Sequence, residues 1–321
     1  MAATAMPEID AQYRVLREGA GYLDRSRRGK LMVKGPDAAE YLQGQLTNDV
    51  EAFQPGSGCY AALLERKGHV QGDMRVLLLH EDEFWLDLEA ASAPTVLRHL
   101  TMYSVGREVE IEDVSGQWAI TSLIGPGAAE AAGVQGLAAE HAQGFRDWDG
   151  VEVLAVATDA GLDLITDAGQ AQRLRELLAA AGAVEVSEAA AEILRVESGR
   201  PRFGAEITPE VMPAEAGIVE RAVNFEKGCY IGQEPVARLH YRGKPNRRLC
   251  GLRLSAPASR GDALHLGERE VGAVGTACVS PALGPIALAL VRREAELGAT
   301  VRVGDGETTA EVVELPFGAH E

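Results

Sequence analysis

One segment of this sequence concentrates side chains that could do chemistry. Residues 224–248 read NFEKGCYIGQEPVARLHYRGKPNRR and place six lysine and arginine residues around a single thiol, Cys229. Neighbouring cations stabilise a thiolate, so Cys229 is the best candidate for a reactive or metal-contacting thiol. Gly228 and Gly232 bracket it and would allow the sharp turns of a loop that displays a side chain. The alternative is that Cys229 is a small buried apolar residue and the arginines pair with surface acids.

The remaining cysteines do not predict a second site. Cys59, Cys250 and Cys278 are scattered along the chain, and no CxxC pair occurs. This spacing argues against a zinc knuckle, a redox dithiol or a self-contained iron–sulfur site. No metal site is predicted, and any cysteine chemistry is expected to come from one thiol.

The overall charge excludes several classes of partner. The chain has 321 residues, with Lys+Arg 31 against Asp+Glu 48 and a formal net charge of -17. This excess of acid argues against direct binding of nucleic acid and against anionic membrane surfaces. The opening residues lack a secretory signal, and the apolar runs are far shorter than the roughly 20 residues that span a bilayer. A cytoplasmic location is therefore predicted.

Two stretches of the chain have the same predicted order of elements, β-α-β-β-α-β. The first has a strand over 30–35, a helix from Pro36, a hairpin over 73–89, a helix over 92–104 and a strand over 108–114; the second has a strand over 118–125, a helix from Pro126, a hairpin over 151–167, a helix over 171–182 and a strand over 183–186. The strand-to-helix joints, KGPDAAEYL and IGPGAAEAA, are also alike. Either a split βαβ unit is repeated, or this motif is only a common way to enter an alanine-rich helix.

The rest of the chain is predicted to differ from these repeats. A helix is expected from Ser187 to Gly199, followed by a long irregular loop over 200–218. From Arg247 onward, short β-like runs separated by turns indicate a small all-β barrel or sandwich.

The motif KGCYIGQEPVARLHYRG resembles the signature of the YgfZ-like branch of the folate-binding family that also contains the glycine-cleavage T-protein, an aminomethyltransferase. Residues 31–50, 193–207 and 275–292 are similar to other segments of this family. The motif residues are Lys227, Gly228, Cys229, Tyr230, Gly232, Gln233, Glu234 and Arg238.

The resemblance implies an α+β fold with two ferredoxin-like split βαβ lobes around a central tetrahydrofolate pocket, plus a small C-terminal β-barrel. The implied folate-binding region is 1–244, and the barrel is 245–321. Within the first region, one lobe comprises about 1–115 with 187–244, and the other about 116–186.

The resemblance also implies two acidic site residues. The stretch KGHVQGDMRV is similar to the T-protein segment whose aspartate lies beside the reactive folate nitrogen, and the match falls on Asp73. A carboxylate there could orient that nitrogen or accept its proton; the alternative is an acid that caps the hairpin turn. Glu197 matches a glutamate that grips the pterin ring, since a carboxylate can accept two parallel N–H bonds from an aminopyrimidine edge. The alternative for Glu197 is an exposed helix residue.

Glu89 and Tyr230 are two further candidate folate contacts. Glu89 stands where the T-protein pattern has an asparagine after the second hairpin strand, a departure that affects the usual pterin contacts. Tyr230 and Gln233 flank the thiol, where they could pack and form hydrogen bonds.

Three functions follow as hypotheses. The first is a tetrahydrofolate-binding accessory factor for assembly or repair of iron–sulfur enzymes, whose partners are folate and iron–sulfur proteins or their assembly factors. It would support tRNA modification indirectly, with no direct RNA contact. The second is a folate-dependent aminomethyltransferase with Asp73 as the key carboxylate. The third is a non-catalytic binding scaffold, so the sequence leaves enzymatic activity open.

Overall fold

The computed structural model of this chain describes residues 6–137 and 139–318. Residues 1–5, 138 and 319–321, which the predicted domain ranges include, lie outside the described residues. The helices are α1 Met6–Glu18, α2 Ala38–Gln45, α3 Ala93–Tyr103, α4 Ala128–Ala131, α5 Ala171–Ala180, α6 Glu188–Glu197, α7 Val219–Ala222 and α8 Gln233–Arg242. The strands are β1 Gly21–Asp24, β2 Gly29–Lys34, β3 Gly58–Leu64, β4 Val70–His80, β5 Glu83–Leu88, β6 Glu110–Asp113, β7 Trp118–Ile124, β8 Gln143–Trp148, β9 Val151–Thr158, β10 Gly161–Asp167, β11 Val184–Glu185, β12 Arg247–Leu254, β13 Ala263–Leu266, β14 Arg269–Ser280, β15 Gly284–Arg292, β16 Thr300–Val303 and β17 Thr309–Val313.

The described residues divide into two units. The first unit comprises the described residues up to Glu65 together with Gln71–Ala190 and Arg221–Ile231. The second unit comprises Arg66–Val70, Ala191–Glu220 and the described residues from Gly232 onward.

The first unit contains a five-stranded sheet with the strand order β3-β4-β5-β2-β6. Strand β2 pairs antiparallel with β5 and β6, and β4 pairs antiparallel with β5. The helix α2 follows β2, and the helix α3 connects β5 to β6. Apart from the edge strand β3, this arrangement is a split βαβ unit of the ferredoxin-like kind.

The second sheet of this unit has the strand order β11-β1-β7-β10-β9-β8. Its strands β7, β9, β10 and β11 repeat the split pattern, and β8 extends one edge. Strand β1 is inserted between β11 and β7, pairing parallel with the first and antiparallel with the second. The N-terminal part of the chain therefore completes the second sheet.

The two strand-to-helix joints have the same local geometry, as their similar sequences indicate. Gly35 and Gly125 have φ of 126° and 115°, values at which an L side chain is strained. A Cβ on Gly35 would lie 2.2 Å from the carbonyl oxygen of Glu108, and one on Gly125 would lie 2.4 Å from that of Gly19. Each glycine thus admits a close backbone approach just before its helix, which favours the repeat over a coincidental motif.

Apolar residues are buried on both faces of the central strands. The shared core of the two sheets contains Met32, Leu77, Trp85, Val114, Ile120, Leu154, Val156 and Ile165. The other face of the first sheet packs on α2 and α3 through a second cluster that includes Leu42 and Val96. A strand covered on both faces reads as a continuous apolar run, as VLLL in β4 does.

The second unit contains a closed barrel with the strand order β12-β15-β14-β13-β16-β17. Closure removes the unpaired edges that an open sheet would expose. The barrel interior is filled by small and branched apolar residues, among them Leu252, Val274 and Val291. Strand β14 requires glycine at position 272, because a Cβ there would lie 2.3 Å from the Leu290 carbonyl oxygen.

The predicted fold class is confirmed: ferredoxin-like sheets are combined with a closed C-terminal barrel. The predicted domain boundaries stay a prediction. The sequence pattern missed α1, β1, β3 and β8, and it did not predict the helix α8 within the motif. Among the described residues, no helix is both long and apolar enough to cross a membrane.

Candidate functional site

Asp73 lies in β4, beside the edge strand β3, and within the described part of the chain only one of its two carboxylate oxygens accepts a hydrogen bond. The Tyr60 hydroxyl of β3 donates a hydrogen bond to its Oδ2 at 2.7 Å. Its Oδ1 is buried and has no hydrogen-bond partner among the described residues. A buried oxygen without a donor is costly, so this atom is suited to a ligand that brings an N–H or O–H group. The predicted role of Asp73 as a cap of the hairpin turn has no support in these contacts.

Burial is the main influence on the Asp73 carboxyl group. It raises the pKa from 3.8 to about 6, against the hydrogen bond from Tyr60 and the charge of Arg28, while the charge of Glu89 raises it further. A carboxyl group with a pKa close to neutral pH can both hold and release a proton. Asp73 is therefore suited to proton transfer as well as to binding.

Arg28 and Glu89 are charged groups beside Asp73. Arg28 Nη1 donates to Glu89 Oε1 at 2.7 Å, and Arg28 Nε donates to Asp87 Oδ1 at 2.9 Å. The departure from asparagine at position 89 thus places a carboxylate that is already paired with an arginine. The Glu89 carboxylate therefore acts mainly as the ion-pair partner of Arg28.

A chain of buried ion pairs runs from Arg28 across both sheets. Asp87 in β5 accepts from Arg75 Nε in the neighbouring strand at 2.7 Å, and Arg75 Nη1 lies 2.8 Å from Asp163 Oδ2 in β10. Asp163 in turn accepts from the Ser122 hydroxyl. Burial opposes ionisation of Asp87, but the adjacent Arg75 and Arg28 hold its pKa below the usual value. These pairs join the two sheets with charges that compensate each other.

Arg221 connects the motif segment to the same sheet. Its guanidinium carbon lies 4.9 Å from the centroid of the Tyr60 ring, and its Nη2 donates to Glu140 Oε1. The Asn48 amide donates to the carbonyl oxygens of Tyr60 at 2.9 Å and of Arg221 at 3.0 Å. Asn48 therefore holds the backbone of both Tyr60 and Arg221, whose side chains stack on each other.

The motif segment of the first unit is anchored by Lys227 and not by its thiol. The Lys227 ammonium donates to the carbonyl oxygens of Gln43, Leu46 and Asn48 at 2.7 to 2.8 Å. Burial lowers its pKa to about 8. The Lys227 ammonium is therefore bound by carbonyl oxygens at the end of α2. The sequence pattern had placed it among the cations around the Cys229 thiolate.

Cys229 is exposed and lies outside any helix or strand, so the expected display on a loop agrees with the structure. The alternative of a small buried residue is excluded. Gly232 immediately precedes α8 and has a φ of 82°, in the left-handed region. Gly228 is not in that region, and a Cβ there would meet no atom within 4 Å. Only Gly232 is required for a sharp turn.

Tyr230 is buried beside this loop. Its ring centroid lies 5.3 Å from Lys227 Nζ, and its hydroxyl has no hydrogen-bond partner among the described residues. Burial raises the pKa of this hydroxyl to about 12, so it is a donor at neutral pH. Like Asp73 Oδ1, it is suited to a ligand that brings a complementary polar group.

Comparisons with known proteins agree with this fold. Residues 2–227 match the family described as the GCVT N-terminal domain, and residues 247–318 match the glycine cleavage T-protein C-terminal barrel domain. The chain is 30% identical to an aminomethyltransferase of Rubrobacter xylanophilus, covering 96% of this chain and 86% of the relative. It is 31% identical to an aminomethyltransferase of Saccharopolyspora erythraea, covering 96% and 89%.

A solved structure gives the same result. The glycine cleavage system aminomethyltransferase T of Bartonella henselae matches with a TM-score of 0.86 and 26% identity, covering 96% of this chain and 89% of that one. The chain belongs to the glycine cleavage T-protein family.

The other candidate residues of this T-protein family member lie in the second unit. Glu197 ends α6, where its side chain accepts a hydrogen bond from the Ser280 hydroxyl and its carbonyl oxygen accepts one from the Phe317 backbone N–H. Its carboxylate thus already has a partner within that unit. Gln233, Glu234 and Arg238 belong to α8 and not to a loop.

The three other cysteines of the family member do not resemble Cys229. Cys250 is buried, and burial raises the pKa of Cys59 and of Cys278 to about 12. Among residues 6–137 and 139–318, no group of three or more His, Cys, Asp or Glu side chains is placed to hold a metal ion.

The sequence interpretation missed several residues of this site, namely Tyr60, Arg28, Arg221 and Arg75. One signal was present: Asp87 interrupts the apolar run FWLDL, and Arg75 interrupts MRVLLL on the partner strand of the predicted hairpin. Charges in strands that are buried on both faces are expected to pair across the hairpin. Arg28 and Arg221 lie outside strands and gave no such signal.

Proposed function

We propose that this chain binds tetrahydrofolate in its first unit, with Asp73 directed at the part of the ligand that carries a one-carbon unit. The observation that carries this proposal is the buried, unpartnered Asp73 Oδ1 in a member of the T-protein family. Ring and exocyclic N–H groups of a reduced pterin are the kind of donor that this oxygen lacks. The unpartnered Tyr230 hydroxyl is a second candidate contact, and it agrees with the same ligand class.

The chain's own residues have distinct roles in this proposal. Tyr60 fixes one oxygen of Asp73, so the other can orient a donor or hold its proton. Glu89 and Arg28 set the charge beside Asp73. The bound folate would supply the nitrogen to which a one-carbon unit is attached.

A calorimetric titration with tetrahydrofolate under anaerobic conditions tests the ligand. We expect saturable binding by the wild-type protein and binding at least about tenfold weaker in Asp73→Ala, because a charge-assisted hydrogen bond is lost. The matched control is Glu110→Ala, which removes an exposed carboxylate that has no partner among the described residues. Absence of wild-type binding would contradict the proposal.

Of the functions known in this family, we propose the role of an accessory factor for iron–sulfur enzymes, as in the YgfZ-like branch. The support is the KGCYIGQE motif with its exposed thiol on an anchored loop. Partners would be iron–sulfur proteins or their assembly factors, and a cytoplasmic location is proposed with this role. Any effect on modified tRNA would be indirect, because the net charge of -17 disfavours RNA contact.

Replacing Cys229 by alanine tests this role. We expect the variant to keep its fold and its folate affinity, because the side chain is exposed, and to lose rescue of a cell that lacks its own accessory factor. The control is Cys59→Ala, since Cys59 is a half-buried residue that contacts the core. Full rescue by the Cys229 variant would remove the thiol from the mechanism.

A second candidate function is aminomethyl transfer, which the proton-holding environment of Asp73 favours. Purified protein would then make methylenetetrahydrofolate from a lipoyl-bound aminomethyl donor. Turnover with an authentic donor protein would establish this candidate, and its absence would leave the accessory role or a non-catalytic scaffold. A scaffold predicts that changes at Asp73, Glu197 and Cys229 are all silent in cells.

A further inference from the structure

The helix α8 presents cations on its exposed side. Val236 is buried against the second unit, whereas Arg238 and Arg242 are exposed. These two arginines are four residues apart, so they lie next to each other on the helix surface. Lys244 follows the helix and is also exposed.

A second segment, far away in the sequence, adds to this charge. The turn over 66–70 belongs to the same unit and packs on the start of α8. A Cβ on Gly68 would lie 3.2 Å from Pro235 Cγ and 3.3 Å from Val236 Cγ2, so the glycine permits this close approach. Arg66 and Lys67 immediately precede Gly68 and are exposed.

Three exposed arginines elsewhere in the described chain are already paired, unlike these cations. Arg107, Arg173 and Arg269 each pair with an acid, namely Glu40, Asp149 and Glu294. Within the described part of the chain, Arg66, Arg238, Arg242 and Lys244 have no ion-pair partner. In a protein with 48 acidic residues, a turn and a helix that pack together and carry four cations without ion-pair partners are a local excess of positive charge.

We infer that Arg66, Lys67, Arg238, Arg242 and Lys244, the basic face, bind a partner protein through a cluster of its carboxylates. A compact acidic partner can meet these cations at short range, where their local field outweighs the net charge of the chain. A long nucleic acid would extend beyond them over an acidic surface, which disfavours that occupant.

An exposed aromatic residue supports a protein partner. Tyr241, next to Arg242 in α8, is 68% exposed, and its ring meets that of His240 edge-on at 4.8 Å. Tyrosine and arginine are the residue types that dominate binding energy in protein interfaces. This inference goes beyond folate binding and does not depend on it.

The test measures binding of a fluorescent, glutamate-rich peptide by anisotropy at about 0.05 M salt, where surface charges are weakly screened. We compare wild type with the triple variant Arg66→Glu, Arg242→Glu, Lys244→Glu. We expect about tenfold weaker binding or more in this variant, and wild-type binding that weakens as salt rises. The tetrahydrofolate titration, repeated on both proteins, reports separately on the proposed folate site.

The matched control reverses Arg107, Arg173 and Arg269 to glutamate, which changes the net charge by the same amount at cations that already have partners. We expect it to bind the peptide as wild type does. Equal loss in both triple variants would show that only net charge matters and would overturn the inference. Absence of wild-type binding, or tighter binding of an RNA oligonucleotide than of the peptide, would overturn it as well.

Discussion

Replacing Asp73 by asparagine is expected to stabilise the fold by up to about 3 kcal/mol at neutral pH and above, while it weakens folate binding. Burial raises the pKa of this carboxyl group to about 6, so the folded protein favours the protonated acid. Asparagine has the same shape and no charge, and its side-chain oxygen can still accept from Tyr60. The wild-type protein thus carries a carboxylate that costs stability at neutral pH.

The pH dependence follows from the direction of this shift. The folded pKa of about 6 lies above the ordinary value of 3.8, so the stability contributed by Asp73 is complete below 3.8 and is lost as the pH rises through 6. The advantage of asparagine is therefore largest at about pH 8 and falls to about half at about pH 5. Urea unfolding followed by tryptophan fluorescence measures the difference at each pH.

The alternative role of Asp73 as a turn cap predicts a different result. If Asp73 were a capping carboxylate, Asp73→Asn would lower the free energy of unfolding or leave it nearly unchanged. The difference from wild type would not grow with pH. Asp113→Asn is the matched control, because Asp113 is exposed and its Oδ1 accepts from the Ser115 backbone N–H in a turn. We expect this control to change stability by less than about 1 kcal/mol at every pH. Destabilisation by Asp73→Asn at pH 8 would contradict the buried-acid interpretation.

The repeated lobes could be predicted because local signals agreed. Glycine and proline at the joints and apolar runs in β2, β4 and β7 all indicated the same elements. The insertion of β1 between β7 and β11 could not be predicted, since GYLD is short and its partners lie about a hundred residues away or more. Pairings at such separation depend on tertiary packing and not on local propensity.

The candidate site was predictable in part for a similar reason. A single thiol in a glycine-containing cationic segment marked Cys229, and the resemblance marked Asp73. The contacts that tune Asp73 come from Tyr60 in an unpredicted strand and from Arg28 in a connection between strands. The sequence also could not indicate that Lys227 binds the end of α2. Its three partners are backbone carbonyl oxygens, which every residue type has.

Replacing Asp87 by asparagine is expected to destabilise the fold by about 3–5 kcal/mol, the second large effect. Asp87 is 1% exposed and accepts from both Arg28 and Arg75. An amide there leaves the buried Arg75 and the partly exposed Arg28 with reduced compensation, and only Asp163 and Glu89 remain to balance them. The cost is set by the uncompensated charge and not by the hydrogen bonds alone.

The pH dependence of the stability change in Asp87→Asn distinguishes the ion pairs of Asp87 from the buried carboxyl group of Asp73. Burial raises the pKa of Asp87, but Arg75 and Arg28 outweigh it and hold the pKa below 3.8. Its stabilisation is therefore present above pH 3.8 and is lost only as the pH falls through the lower folded value. Urea unfolding should give the same loss at about pH 5 and about pH 8, unlike the effect of Asp73→Asn.

The matched control for Asp87 is Glu89→Gln, which removes another carboxylate from the same Arg28. Its side chain is 29% exposed against 1% for Asp87, so water can replace the lost partner. We expect a cost below about 1 kcal/mol for Glu89→Gln. If Asp87→Asn costs no more than this control, the buried ion pairs do not hold the two sheets together, and the charges beside Asp73 would have to be held by packing alone.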